Sequence, residues 1–269
     1  MKIFQIIRQL FLCRQSKVFA LLFTLSLVSG CSKPKTETIT IAAASSMQFA
    51  LEELIAAFKD KTGISCEVVN GASGMLTSQI AAGAPYTIFM SADLQYPHYL
   101  AKNGYTTSEP VIYGYGELIL WSVKETIKPD ILLATQNKIT HIAIANPETA
   151  PYGKAAKEAL EYYGLFEAVK DKLVYGENIS QTNQFIASQA VEYGFTAKSV
   201  VLSSSLKNKG IWEAIDSTAY LPIAQGMVVL KSNKQQHKKA LAFKTFLFST
   251  EGRRILEKYG YRTPNKNPL

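Results

Sequence analysis

The chain has 269 residues, of which 47% are hydrophobic and 11% aromatic, and a formal net charge of +8. That length and composition suit a globular protein with room for two lobes, and they exclude a disordered or low-complexity chain. Lys2, Arg8, Arg14 and Lys17 fall in residues 1–30 with no acid among them, which leaves +4 for the remainder and little support for nucleic-acid binding.

Residues 1–30 read as an export signal, with a basic start followed by the apolar run 18–28, too short to span a bilayer comfortably. The run ends in Val28-Ser29-Gly30-Cys31, which is similar to a bacterial lipobox, where small residues precede a cysteine that is lipidated and becomes N-terminal. Residues 31–37 then serve as a lipidated polar tether. A plain signal peptide and an uncleaved anchor are the alternatives. With Cys13 in the signal and Cys31 acylated, Cys66 has no partner, so the mature chain forms no disulfide; Cys66 sits in an apolar strand pattern and is expected to be buried.

From residue 38 the pattern alternates strand and helix, the signature of an α/β sheet with crossover helices. Residues 38–44 read as a buried strand. Met47, Ala50, Leu51, Leu54, Ile55 and Phe58 recur at helical spacing, and Gly63 stops that helix. Strands follow at 64–69 and 87–90, with helices from Ser73 and over 94–102. A Gly/Tyr passage, Tyr113-Gly114-Tyr115-Gly116, leads into the apolar run 118–123. The second half repeats the logic, with strands at 142–145 and 194–197 and helices over 151–163 and 180–189. Late in the chain, 226–230 reads as a strand and 236–248 as a helix with Leu241, Phe243, Phe246 and Leu247 inward. Thr250 is placed to cap a last helix over 251–259. The expected division is lobe 1 from residues 38–115 plus 224–269, and lobe 2 from 116–223.

Four loops share one character: each ends a strand or turn and opens a helix with small or hydroxyl residues. They are Ser45-Ser46, Gly71-Ala72-Ser73-Gly74, Pro151-Tyr152-Gly153 and Asn178-Ile179-Ser180-Gln181-Thr182. The first amides of a helix lack internal partners and sit at the positive end of its dipole, so such loops can hold an anion. Each can equally be an ordinary helix start. Two in each half fit a cleft between lobes, at the carboxyl ends of strands.

Beyond the signal the only arginines are Arg253, Arg254 and Arg262, far from all four loops. A carboxylate ligand is usually clamped by a bidentate arginine fork. A protonated phosphate wants an acceptor for its hydrogen, and only Glu148 or Glu177 is near. Neutral donors therefore favour a fully deprotonated tetrahedral dianion. Enzyme signatures are missing: there is no Gly-x-Ser-x-Gly elbow, no phosphate-binding Gly-x-x-x-x-Gly-Lys loop and no His-Glu-x-x-His. His98, His141 and His237 are scattered, with a polar-surface reading for each, and no metal-ligand cluster is visible.

Taken in order, Ala42-Ala-Ala-Ser-Ser46, Gly71-Ala-Ser-Gly74 with Gln79-Ile80, Gly83-Ala-Pro85 and Ser91-Ala-Asp93 resemble the substrate-binding proteins of molybdate ABC importers. Asn146-Pro-Glu148 with Pro151-Tyr-Gly153, then Glu177-Asn-Ile-Ser-Gln-Thr182 and Tyr259-Gly-Tyr261, extend the resemblance over residues 38–264. It implies an α/β, two-lobed type II periplasmic-binding-protein fold, each lobe a mixed sheet flanked by helices, joined by two crossing strands. By position it implies hydroxyl and backbone donors from Ser45 and Ser73, backbone N–H donors from Tyr152 and Ile179, and a further polar donor at Ser46. The ligand would be molybdate or tungstate, held as an oxyanion with no direct metal ligand and no cofactor. The resemblance further implies a lipid-anchored, extracytoplasmic monomer that is no enzyme and serves a membrane permease and its ATPase. Sulfate or thiosulfate on the same fold is the alternative, and a hydrolase using Ser45 or Ser73 as nucleophile a more distant one. Two positions depart from the family pattern: a tyrosine that contacts the anion in some members is Ala197 here, and an acidic residue before the third strand is Thr87.

Overall fold

The computed structural model describes residues 38–264. The expected signal, the lipidation at Cys31 and the tether lie outside the described residues, as do residues 265–269. In chain order the first sheet and its helices begin with β1 (Ile39–Ala44), a short 3-10 turn (Ser45–Met47) that runs into α1 (Gln48–Thr62), and β2 (Cys66–Gly71). Next come α2 (Ser73–Ala81), β3 (Ile88–Ser91), α3 (Gln95–Lys102) and β4 (Val111–Gly116). The second sheet contains β5 (Leu118–Ser122), β6 (Ile142–Ala145), β7 (Leu173–Gly176), β8 (Tyr193–Ala197) and β9 (Ile211–Ala214). Its helices are α4 (Pro151–Tyr162), α5 (Phe166–Val169), α6 (Ile179–Ala187) and α7 (Lys198–Val201). The chain then returns to the first sheet through β10 (Ile223–Val229), followed by α8 (Lys234–Leu247) and α9 (Thr250–Lys258).

Both sheets are mixed. The first has the order β2-β1-β3-β10-β4, with β1 parallel to β2 and β3, and β10 antiparallel to β3 and β4. The second has the order β7-β6-β8-β5-β9, with β6 parallel to β7 and β8, and β5 antiparallel to β8 and β9. Crossover helices cover both faces of the parallel strands, which is why β1 reads as a continuous apolar run and is buried nearly throughout. Around the first sheet, Phe58 of α1 meets Phe243 of α8 edge to face, ring centroids 5.3 Å apart, and Lys258 of α9 pairs with Glu53 of α1 at 2.7 Å. Two connections join the sheets. Glu117 alone separates β4 from β5, and residues 215–222 lead from β9 to β10.

Several local expectations are corrected. The Gly/Tyr passage is itself most of β4. Strands β7 and β9 and the short helices α5 and α7 had no clear signal. Leu241 is 41% exposed, and the buried face of α8 is Ala240, Phe243, Phe246 and Leu247. Ser249, not Thr250, caps α9: its backbone is extended and its Oγ accepts from the Gly252 amide, while Thr250 is already helical. Cys66 is half-buried, and that burial pushes its thiol up to about 12, so it stays protonated and unreactive.

Candidate functional site

The carboxyl ends of the parallel strands of both sheets converge on one cavity. From the first sheet β1 delivers Ala44, Ser45 and Ser46, β2 delivers Gly71, Ala72 and Ser73, and the end of β3 delivers Ala92. From the second, the segment after β6 contributes Ala150, Pro151 and Tyr152, and that after β7 contributes Asn178 and Ile179. All five residues expected at the site thus line the same space. Gly71 and Ala72, from the second of the four loops, line it as well, and with Ala44, Ala92 and Ala150 they keep the walls small.

Each donor group follows from local helix chemistry. Pro151 occupies the first position of α4 and has no N–H, so the first amide this helix offers is that of Tyr152; the Gly153 and Lys154 amides turn back to Ala150 O at 2.9 and 3.1 Å. At α6 the Asn178 side chain caps the Ser180 and Gln181 amides at 2.9 and 3.2 Å, so the cap does not take the Ile179 N–H, and Ile179 lines the cavity. Ser73 Oγ accepts from the Ala92 amide at 3.1 Å, so its own proton is free to donate. The Oγ atoms of Ser45 and Ser46 are buried and have no hydrogen-bond partner in the chain. An ordinary helix start at Ser45 would have its hydroxyl cap the turn, and it does not: neither serine hydroxyl bonds the amides of its own turn.

No Asp, Glu, His, Lys or Arg lines the cavity. Its donors are hydroxyls and amides, and helix dipoles supply the positive potential. The cavity volume is about 10 Å³, about the room one water needs. The lining thus offers neutral groups around a small space. A larger cavity of about 270 Å³ adjoins it, lined by Asp93, Glu148, Lys154 and Lys157 among others, and carries both signs of charge. Contacts between the two halves close the site. Gly74 N donates to Thr149 O at 2.9 Å, Ser199 Oγ to Ser46 O at 2.7 Å, and Ser180 Oγ to Gln48 Oε1 at 3.1 Å. Burial pushes the phenols of Tyr113, Tyr152 and Tyr261 up, Tyr261 to about 12, so all three remain neutral.

Ala197, one of the two positions that depart from the expected pattern, is fully buried opposite Leu118 and does not line the cavity. Thr87 is buried too, and its backbone exchanges hydrogen bonds with Thr40 and Leu230 away from the site. Among the described residues no group of three or more His, Cys, Asp or Glu is placed to hold a metal ion, and no helix is long and apolar enough to cross a membrane.

A family model described as bacterial extracellular solute-binding protein matches residues 39–262. The chain belongs to this family of solute-binding proteins. The molybdate-binding protein ModA of Rhodobacter capsulatus is 35% identical over 241 residues, covering 89% of this chain and 94% of the relative. YvgL of Bacillus subtilis, named as an ABC transporter substrate-binding lipoprotein, is 31% identical over 257 residues, covering 92% and 98%. Among solved structures, the periplasmic molybdate-binding protein of Azotobacter vinelandii superposes with a TM-score of 0.80 at 29% identity, covering 84% of this chain and all of that one. The family resemblance and the two-lobed type II fold expected from the motifs therefore hold. Membership also carries a place outside the cytoplasm and a membrane transporter as partner. This is a family of binding proteins, not enzymes, and the hydrolase reading falls; a nucleophilic serine would need a base, and the cavity lining offers none.

Proposed function

We propose that this protein captures molybdate or tungstate between its lobes and delivers it to an ABC importer. The anion would be held by the hydroxyls of Ser45, Ser46 and Ser73 and by the amides of Tyr152 and Ile179. One observation carries the reading: buried hydroxyls of the first half, two of them without a partner in the chain, share a small cavity with the helix starts of the second half and no charged side chain. Such a site offers donors only. It suits an oxyanion that carries no proton at neutral pH, and the relatives named for molybdate support that choice.

The anion is cargo, and the protein needs no resident cofactor to bind it. We further read residues 1–30 as a signal peptide and Cys31 as the lipidated residue that tethers a monomeric binding protein, outside the cytoplasm, to the membrane of its permease and ATPase. The lipobox-like Val28-Ser29-Gly30-Cys31 and the likeness to a protein named as a lipoprotein support this. Calorimetric titration with molybdate, tungstate and sulfate tests the ligand. Molybdate and tungstate should bind more tightly than sulfate; tighter sulfate binding would overturn the choice while leaving the oxyanion site standing.

A further inference from the structure

We propose that Gln225 is a positioning residue for anion capture, which anchors the Tyr152 side chain, and with it the head of α4, to the strands joining the two lobes. The inference rests on the oxyanion reading above and adds a residue that touches no ligand. Gln225 lies in β10, is fully buried, and sits at an irregularity in the pairing with β4, where Gln225 faces Gly114 and Gly226 faces Ile112. A buried primary amide needs partners at both ends. Gln225 has them: Oε1 accepts from Tyr113 Oη at 2.7 Å, and Nε2 donates to Tyr152 Oη at 3.0 Å. Tyr113 belongs to β4, on the first sheet. Tyr152 comes from the second half, and its backbone N–H is the first amide that α4 offers to the cavity.

The route of the Tyr152 ring is equally defined. It crosses the end of β4 at Gly116, where an added Cβ would stand 2.0 Å from Tyr152 Oη and 2.6 Å from Gln225 Nε2. Gly116 is one residue from Glu117, the single residue between β4 and β5. The phenol therefore rests in a notch on one connection between the lobes and ends on an amide from the strand that follows the other. Tyr261, whose Oη donates to Ser46 O at 3.0 Å, has the side chains of Gln225 and Ser199 beside it. One side chain thus borders the supports of donors from both halves, and a displacement of either connection is felt at the Tyr152 amide. A role confined to filling the core would need none of this alignment with α4.

The test compares wild type, Tyr152→Phe, Gln225→Met and the double variant, each by molybdate titration, by stopped-flow release and by unfolding of the ligand-free protein. Tyr152→Phe keeps the backbone N–H and the ring and removes only the anchored hydroxyl. Each single variant should weaken binding about tenfold, the range seen when outer hydrogen-bonding partners of a binding site are lost, mainly through faster release. The double variant should lose no more than either alone. Tyr113→Phe, which cuts only the far end of the relay, should fall between wild type and Tyr152→Phe. Unchanged affinity and release with only a lower melting temperature would reduce Gln225 to a core residue and overturn the inference, as would strictly additive losses. Failure of the wild type to bind any oxyanion would remove the functional reading and this inference together. Loss of binding in Ser45→Ala with none in Tyr152→Phe would remove this inference alone.

Discussion

The three cavity serines have different surroundings, so their removal should have different consequences. Ser45 Oγ has no partner in the chain, and Ser45→Ala breaks no internal hydrogen bond. Its melting temperature should stay within about a degree of wild type, as for a substitution without one of the large destabilising mechanisms. A hydrogen bond to a charged group contributes about 1.5–3 kcal/mol, so the same change should weaken molybdate binding by roughly 10- to 150-fold. Ser73→Ala removes a comparable donor and also orphans the buried Ala92 N–H, which bonds Ser73 Oγ at 3.1 Å. An unsatisfied buried donor costs about 1–3 kcal/mol, so this variant should lose affinity and melt several degrees lower, yet still fold. Calorimetry and thermal unfolding on the two variants would check the contrast, and equal stability losses would contradict it. Both serines are legible in the sequence because a hydroxyl just before a helical pattern is a recognisable signal. Gln225 is not: a lone glutamine in an apolar strand says nothing about which tyrosines it will meet.

At the scale of elements, the site depends on how far two helices advance toward the cavity. Helix α4 packs its first turn directly on the end of β6, and a Cβ at Gly153 would lie 2.1 Å from Ala145 O, which is backbone and has little room to yield. Gly153→Ala should therefore push α4 outward and carry the Tyr152 amide with it. Overpacking of this kind costs about 1–3 kcal/mol, or ~2–10 °C in melting temperature for a domain of this size, and affinity should fall at least tenfold because a small displacement undoes alignment. Wild-type affinity in a Gly153→Ala protein that melts normally would show that α4 is free to slide. The helix starts were legible from spacing and small residues, and so were strands β1 and β6, which are apolar and buried nearly throughout. Strand β9 was not, since it is a largely exposed edge whose residues carry no alternation. Ser249 and Thr250 were equally eligible caps by type, and only the backbone, extended at Ser249, decides between them. Leu241 fits the helical count of α8 but projects beyond the face that meets the first sheet.

For the whole molecule, the same unpartnered hydroxyls bias the balance between open and closed lobes. Closing the lobes without an anion strips water from Ser45 and Ser46 Oγ and provides no replacement within the chain. Each unmet hydroxyl costs about 1–3 kcal/mol, which is set against the few hydrogen bonds that closure makes, such as Ser199 to Ser46 O and Gly74 N to Thr149 O. The free protein should therefore populate an open arrangement, with Glu117 and residues 215–222 as the connections that flex. An anion that meets both hydroxyls and the two amides restores those bonds only in the closed form, and so shifts the population by its differential contacts. Small-angle scattering should show wild type contracting when molybdate is added. Replacing both serines, Ser45→Ala with Ser46→Ala, removes the desolvation cost along with the donors. That double variant should already scatter like the contracted form without ligand and change little on adding molybdate. An equally open double variant would mean that the hydroxyls do not set the balance, and that the lobes are held apart by the geometry of their connections.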